Sequence, residues 1–227
     1  MQHQHGLMNA RSILMPIAAS SRRELVERLA QLLSGLILYG AAMALMVRAG
    51  IGVAPWDVLA VGIAERTGLA FGVVTCLVAA VVLLLWIPLR QRLGIGTVLN
   101  AVLIGPSADL TLGLVPPAPS VWIGAPMFVG GLVLLAFATG LYISADFGPG
   151  PRDGLMTGLV ARTGRPVWMV RTVLEGGVLL IGFLLGGPVG VGTVLFAFGV
   201  GPLVGWFLAV FTRIRASRAL ALARPAD

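Results

Sequence analysis

Two stretches of this chain are copies of one another, offset by 96 residues. Gly52, Pro55, Asp57, Leu59, Gly62 and Arg66-Thr67-Gly68 match Gly148, Pro151, Asp153, Leu155, Gly158 and Arg162-Thr163-Gly164. Without a gap, Gly94, Gly96-Thr97-Val98-Leu99, Ala101 and Gly105-Pro106 match Gly190, Gly192-Thr193-Val194-Leu195, Ala197 and Gly201-Pro202. From Leu45 to Pro106 there are 23 identities in 62 positions. Apolar residues alone account for several of these, but not for the matched Gly, Pro, Asp and Arg. A duplicated, largely apolar unit is how many membrane transporters are built.

The composition agrees. Hydrophobic residues make up 58% of the chain and charged residues 11%, where a soluble domain carries about 25% charged residues. Mean hydropathy is +0.97. All 16 basic residues are Arg, and the net charge is +7. The Arg residues sit in short segments between apolar runs. They therefore read as orientation signals and not as a nucleic-acid surface. One cysteine, Cys76, excludes an internal disulfide or a multi-Cys metal site. The two His, His3 and His5, lie near the N-terminus. A Ser-His-Asp site is excluded, and neither a phosphate-binding loop nor a metal-ligand cluster is present. The chain reads as a non-enzyme without metal or cofactor. Ile13 to Ala19 is too short, and too broken by Pro16, for a signal peptide.

Six apolar runs are long enough to cross a bilayer: about Leu29–Ala49, Leu69–Leu89, Ile95–Val115, Val121–Ala145, Pro166–Leu185 and Val191–Phe211. Each approaches the ~20 residues a helix needs to cross ~30 Å of hydrocarbon. Two shorter segments, Pro55–Thr67 and Pro151–Thr163, read as capped helices. Pro55 and Pro151 take the first helical position. Asp57 and Asp153 meet the positive helix end, and Arg66 and Arg162 the negative end. Gly68 and Gly164 supply the stop.

If the short helices do not cross, 14 Arg residues share one side, and only Arg48 and Arg66 face the other. That asymmetry places both termini in the cytoplasm. Three spans per copy then force the copies to be inverted. The expected fold is all-α: six transmembrane helices in two inverted three-helix repeats, each with a short re-entrant or interfacial helix. Residues 1–28 form a partly disordered cytoplasmic segment. Residues 29–211 form one membrane domain, with repeats at about 29–115 and 121–211. Residues 212–227 form a basic cytoplasmic tail.

The Pro-x-Asp…Arg-Thr-Gly pair is the leading candidate for chemistry. Asp57 and Asp153 either hold a substrate near the midplane or cap their helices and pair with the Arg of the same motif. Glu175 lies mid-span, four residues after Arg171, so the two share a helix face. An intramembrane carboxylate is costly unless paired, so Glu175 is either locked to Arg171 or coupled to protons or substrate. Gly96-Thr97 and Gly192-Thr193 open two spans, either as an anion cradle or as simple capping and tight packing. Asn100, where the second copy has Phe196, can face a cavity. Asp109 reads as a solvated surface residue. Trp86, Trp122 and Trp206 read as interfacial belts. Trp56 stands where the second copy has Arg152, the remaining candidate of the site.

At Gly52-Val-Ala-Pro-Trp-Asp57, Gly94-Ile-Gly-Thr-Val-Leu-Asn100, Tyr142-Ile143 and Gly148-Pro-Gly-Pro-Arg-Asp153-Gly-Leu-Met156, the chain resembles the YczE/YyaS/YitT family, most closely its YczE-like branch. Arg162-Thr163-Gly164, Gly186-Gly187 to Gly192-Thr193, and Gly201-Pro202 continue the likeness, which covers about Leu29 to Phe211. The resemblance implies a multi-span bacterial membrane protein and carries over no catalytic or binding residues. The expected function is a secondary transporter or exporter of a small solute, proton-coupled through Glu175. The competing class is a non-transporting membrane protein that assembles with or regulates another system. The partners expected are the lipid bilayer and a small solute, with no nucleic acid; at 23.6 kDa a homodimer stays open.

Overall fold

The computed structural model describes residues 22–222, with side chains to Arg215. His3, His5 and Ile13–Ala19 lie outside the described residues. Eight helices follow in order: α1 (Arg22–Ala49), α2 (Pro55–Thr67), α3 (Phe71–Leu89), α4 (Ile95–Leu114), α5 (Val121–Ser144), α6 (Pro151–Thr163), α7 (Val167–Leu184) and α8 (Val191–Leu222). There is no strand among the described residues. Six of the eight are long and apolar enough to span a membrane. The short α2 and α6 are the two capped segments. α1 begins earlier than its apolar run, at Arg22, and α8 continues to Leu222 through the basic segment.

The short helices form as their ends dictate. Pro55 and Pro151 lie in the first turn, after extended Ala54 and Gly150. At the other end Gly68 (φ 72°) and Gly164 (φ 65°) turn left-handed, and their N–H groups close on the Ala64 and Val160 carbonyls. Glycine reaches that conformation without a Cβ penalty.

The outer surface is apolar. Leu84, Ile87, Leu110, Leu114, Val173 and Phe198 are all more than half exposed. No soluble surface tolerates so much apolar area; these side chains face lipid. The buried core is led by Leu32, Leu36, Met43, Met46 and Phe128, where α1 packs on α5 and on α4. Close approach relies on small residues. Any Cβ on Gly35 would sit 2.9 Å from the Tyr142 Cβ, and any on Gly131 2.9 Å from the Met46 Cγ. Gly131 and Tyr142 are the copies of Gly35 and Met46, so the same contact is made twice with roles exchanged.

That exchange recurs at several other contacts. The Gly96 N–H donates to the Phe147 carbonyl at 2.9 Å, and the Gly192 N–H to the Ile51 carbonyl at 2.8 Å. Arg66 donates to the Leu184 and Leu185 carbonyls at 3.1 and 2.9 Å. Arg162 donates to the Pro88 carbonyl at 3.1 Å. In every case donor and acceptor each shift by 96 residues. α2 accordingly packs on α7, and α6 on α3. Each half completes the other, as across a two-fold interface.

One relation is broken. α3 packs along α4, whereas the equivalent α7 and α8 make no comparable contact. At the first seam a Cβ on Gly105 would strike the Gly72 carbonyl and lie 2.5 Å from the Cys76 Sγ. At the second, Gly201 and Gly205, the copies of Gly105 and Asp109, have no neighbour within 4 Å to meet an added Cβ.

Candidate functional site

The parted α7 and α8 flank a cavity of about 370 Å³. Its charged groups come from two helices. The first turn of α6 supplies Arg152 and Asp153, and the middle of α7 supplies Arg171 and Glu175. The first turn of α2 contributes Trp56, while Tyr39 of α1 and Tyr142 of α5 line the inner wall.

The polar groups form a connected set. The Arg152 Nη1 lies 3.6 Å from the Asp57 Oδ1. That is an ion-pair distance beyond hydrogen-bond reach, and the Asp57 Oδ1 is buried without a hydrogen-bond partner. The Asp57 side chain is only 1% exposed. Arg152 also stacks its guanidinium 5.1 Å from the Trp56 ring centre, within cation–π range. The Tyr142 hydroxyl donates to the Asp153 Oδ2 at 3.1 Å. Tyr142 in turn meets Tyr39 edge-on, with ring centres 6.2 Å apart. On α7 the Arg171 Nε donates to the Glu175 Oε1 at 2.9 Å.

A second, smaller cavity of about 70 Å³ lies on the other side of the same wall, with Thr75, Ala79, Asn100 and Ile104 in its lining. Shifted by 96, these four are Arg171, Glu175, Phe196 and Val200, all of which line the large cavity. The two cavities are thus copies. They share Tyr39, Tyr142, Arg152 and Asp153, which form the septum between them.

The structure brings together Arg152, Asp153, Arg171, Glu175 and Asn100 at this pair of cavities, with Asp57 reached through Arg152. It corrects several other expectations. Neither Asp57 nor Asp153 pairs with the Arg of its own motif, because Arg66 and Arg162 reach across to cap carbonyls of the opposite half. Gly96-Thr97 and Gly192-Thr193 do not cradle an anion: the Gly96 and Gly192 N–H groups are taken by Phe147 and Ile51 carbonyls. The Thr97 Oγ1 accepts from the Gly94 N–H at 3.3 Å and donates to the Pro149 carbonyl at 2.8 Å. The Thr193 Oγ1 accepts from the Gly190 N–H at 3.3 Å. Asp109 is half-buried and not a free surface residue: its Oδ1 accepts from the Gly72 N–H at 2.7 Å and caps α3. Trp86 is not interfacial. It is 1% exposed, and its indole N–H donates to the Pro151 carbonyl at 3.0 Å, fixing the start of α6. Trp122 and Trp206 do lie on the surface.

Tyr39 and Tyr142 are not among the site residues expected from sequence. A signal existed, since they are the only two tyrosines and both lie inside apolar spans, where a hydroxyl needs a partner. From sequence, Arg28 reads only as one of the orienting charges. It is buried, donates to the Ala145 and Asp146 carbonyls at 3.0 and 3.2 Å, and lies 5.1 Å from the Phe147 ring centre. It holds Asp146 at φ 63°, the position where the first copy has Gly50 at φ 69°.

Comparison with known proteins places the chain in a family. Residues 26–209 match the model of a family of unknown function, DUF6198. The chain belongs to this family. Relatives include an uncharacterized protein of Haemophilus influenzae, 40% identical over 183 residues, covering 81% of this chain and 84% of the relative. The uncharacterized membrane protein YczE of Bacillus subtilis is 33% identical over 190 residues, covering 82% and 88%. YyaS of the same organism is 25% identical over 185 residues, covering 79% and 91%. The resemblance to YczE and YyaS is therefore shown. No solved structure matches. This DUF6198 protein is a membrane protein of six apolar spanning helices.

Proposed function

We propose that this DUF6198 protein is a secondary transporter of a small solute that works by alternating access in the bacterial cytoplasmic membrane, both termini cytoplasmic. One observation carries the reading: two repeat-related cavities of about 70 and 370 Å³ meet at a shared septum. Three spans in each copy make the copies inverted, so the cavities open toward opposite sides. The packed α3–α4 seam closes one, and the parted α7–α8 seam opens the other. Transport exchanges these two arrangements, rocking each half against the other around the fixed septum. Glu175 has no counterpart, because the first copy has Ala79 there. Proton coupling through Glu175 therefore acts from the large cavity only.

Cross-linking of the two seams tests the exchange. In the packed seam the Cys76 thiol donates to the Val102 carbonyl at 3.8 Å, so Cys76 with V102C should form a disulfide readily. The repeat-equivalent pair is T172C with F198C in a Cys76→Ala background. All the substituted positions are exposed. Both pairs are expected to cross-link in proteoliposomes. If the first forms and the second never does, α7 and α8 stay apart, the cavity is static, and a non-transporting assembly partner becomes the better reading.

A further inference from the structure

Resting on that reading of the cavity, we propose that its solute is a small organic monocation with an apolar body, held with its charge against Asp153. The charges decide the sign. Five charged side chains belong to the site: Arg152 and Arg171 against Asp57, Asp153 and Glu175, which sum to −1. Both guanidiniums already have carboxylate partners, Asp57 for Arg152 at 3.6 Å and Glu175 for Arg171 at 2.9 Å. Arg152 has in addition the face of Trp56. Among the described residues Asp153 has no cation within 4.0 Å, and its hydrogen bond comes from the neutral Tyr142 hydroxyl. An anion would have to displace one of two formed pairs. A cation completes the one carboxylate that lacks a counter-charge. The positive end of α6 offsets part of that charge, about half an elementary charge at most.

The walls decide the rest. Trp56, Tyr39 and Phe196 present aromatic surface to the same space, which suits a weakly hydrated cation. Leu135, Val200 and Leu208 continue it as an apolar wall. A volume of about 370 Å³ lies at the small end of ligand pockets, which run from roughly 300 to 1,000 Å³. Metal ions are disfavoured, because the described residues hold no group of three His, Cys, Asp or Glu suited to one. The groups facing Asp153 are Tyr39, Tyr142, Arg152, Arg171 and Glu175, with Asp57 behind Arg152. A proton is the other cation Asp153 can accept, so lowering the pH competes with solute binding at this carboxylate, whereas gradient coupling runs through Glu175.

Calorimetric titration of the purified full chain tests this, using benzyltrimethylammonium as the cation, benzoate as the anion and benzyl alcohol as the neutral control. Saturable binding of the cation is expected, weakened at least tenfold relative to pH 8 when the pH is lowered to 5, with no saturable binding of the other two. Asp153→Asn should weaken cation binding at least tenfold. If that variant does not fold, Gly205→Leu serves instead: it fills open space on the cavity wall and should abolish binding without lowering the melting temperature. Saturable binding of benzoate, equal binding of all three probes, or no binding of the cation would each overturn the proposal. The seam cross-links do not depend on ligand charge. A failed titration with intact cross-links sinks the solute class alone, whereas absent α7–α8 cross-links sink the transport reading itself.

Discussion

The Arg152 guanidinium lies 5.1 Å from the centre of the Trp56 ring, and these two residues are each other's counterparts, 96 positions apart. A two-fold-like relation brings equivalent points of the two halves together near its axis, so corresponding first turns of α2 and α6 meet there. Identical residues at such a point would be self-paired; two Arg would repel. The copies have diverged at this position into a cation and its aromatic face. The septum between the cavities is built on that divergence.

Replacing Arg152 should destabilise the protein more than its exposure suggests. Its removal leaves Asp57, 1% exposed, as an uncompensated buried carboxylate. Breaking one side of a buried pair costs about 3–5 kcal/mol. Arg152→Gln is expected to lower the melting temperature in detergent sharply, and the double variant Arg152→Gln with Asp57→Asn should recover most of the loss. A double variant no more stable than the single one would show that the ion pair is not what Arg152 contributes.

Glu175→Gln should behave in the opposite way. Its pair with Arg171 is an i,i+4 contact with side chains 42% and 26% exposed, and exposed pairs of that kind contribute about 0.3–0.5 kcal/mol. Yield and melting temperature should stay near those of the parent. A proton gradient, however, should no longer drive solute movement in liposomes. Unchanged gradient-driven movement in a well-folded variant would remove Glu175 from the coupling mechanism.

The two glycine seams predict an asymmetric response to one added methyl group. Gly105→Ala places a Cβ against the Gly72 carbonyl and the Cys76 Sγ, and overpacking of that kind costs about 1–3 kcal/mol. Gly201→Ala meets nothing within 4 Å and should fold normally. The same methyl should hinder closure of α7 on α8, slowing the T172C–F198C cross-link. Equal melting temperatures for the two alanine variants would argue that the two seams are packed alike in solution.

Topology is accessible by labelling. Glu65 and Ala161 lie on exposed ends of α2 and α6. Single cysteines there, in a Cys76→Ala background, are expected to differ: an impermeant thiol reagent applied outside the cell labels the first and not the second. Labelling of both, or of neither, makes the repeats parallel and removes the geometric basis of alternating access.

The spans, the short capped helices and the duplication were legible in the sequence, because each rests on local chemistry. A run of about 20 apolar residues satisfies its own backbone only as a helix. Pro at a start and Gly at a stop act within one turn. The candidate site was legible in part for the same reason: charged residues inside an apolar chain are few, so Asp57, Asp153, Arg171 and Glu175 stood out. What those residues touch was not legible. Arg66 and Arg162 sit in their motifs where they could pair with Asp57 and Asp153, yet they reach carbonyls of the opposite half. Trp86 has the composition of a belt residue and is buried against Pro151. Asp109 has the position of a surface residue and caps α3. Partner choice across a distance of 37 to 119 residues depends on how helices cross, and nothing local encodes it. The sequence by itself determined that there are two like halves, how many apolar spans they hold and where the two short helices begin and end; the outer ends of α1 and α8 run past their apolar stretches. Only the tertiary structure decided that one seam is closed and the other open, since Gly105 and Gly201 are the same residue before the same Pro, and only packing shows one pressed against its neighbours and the other free.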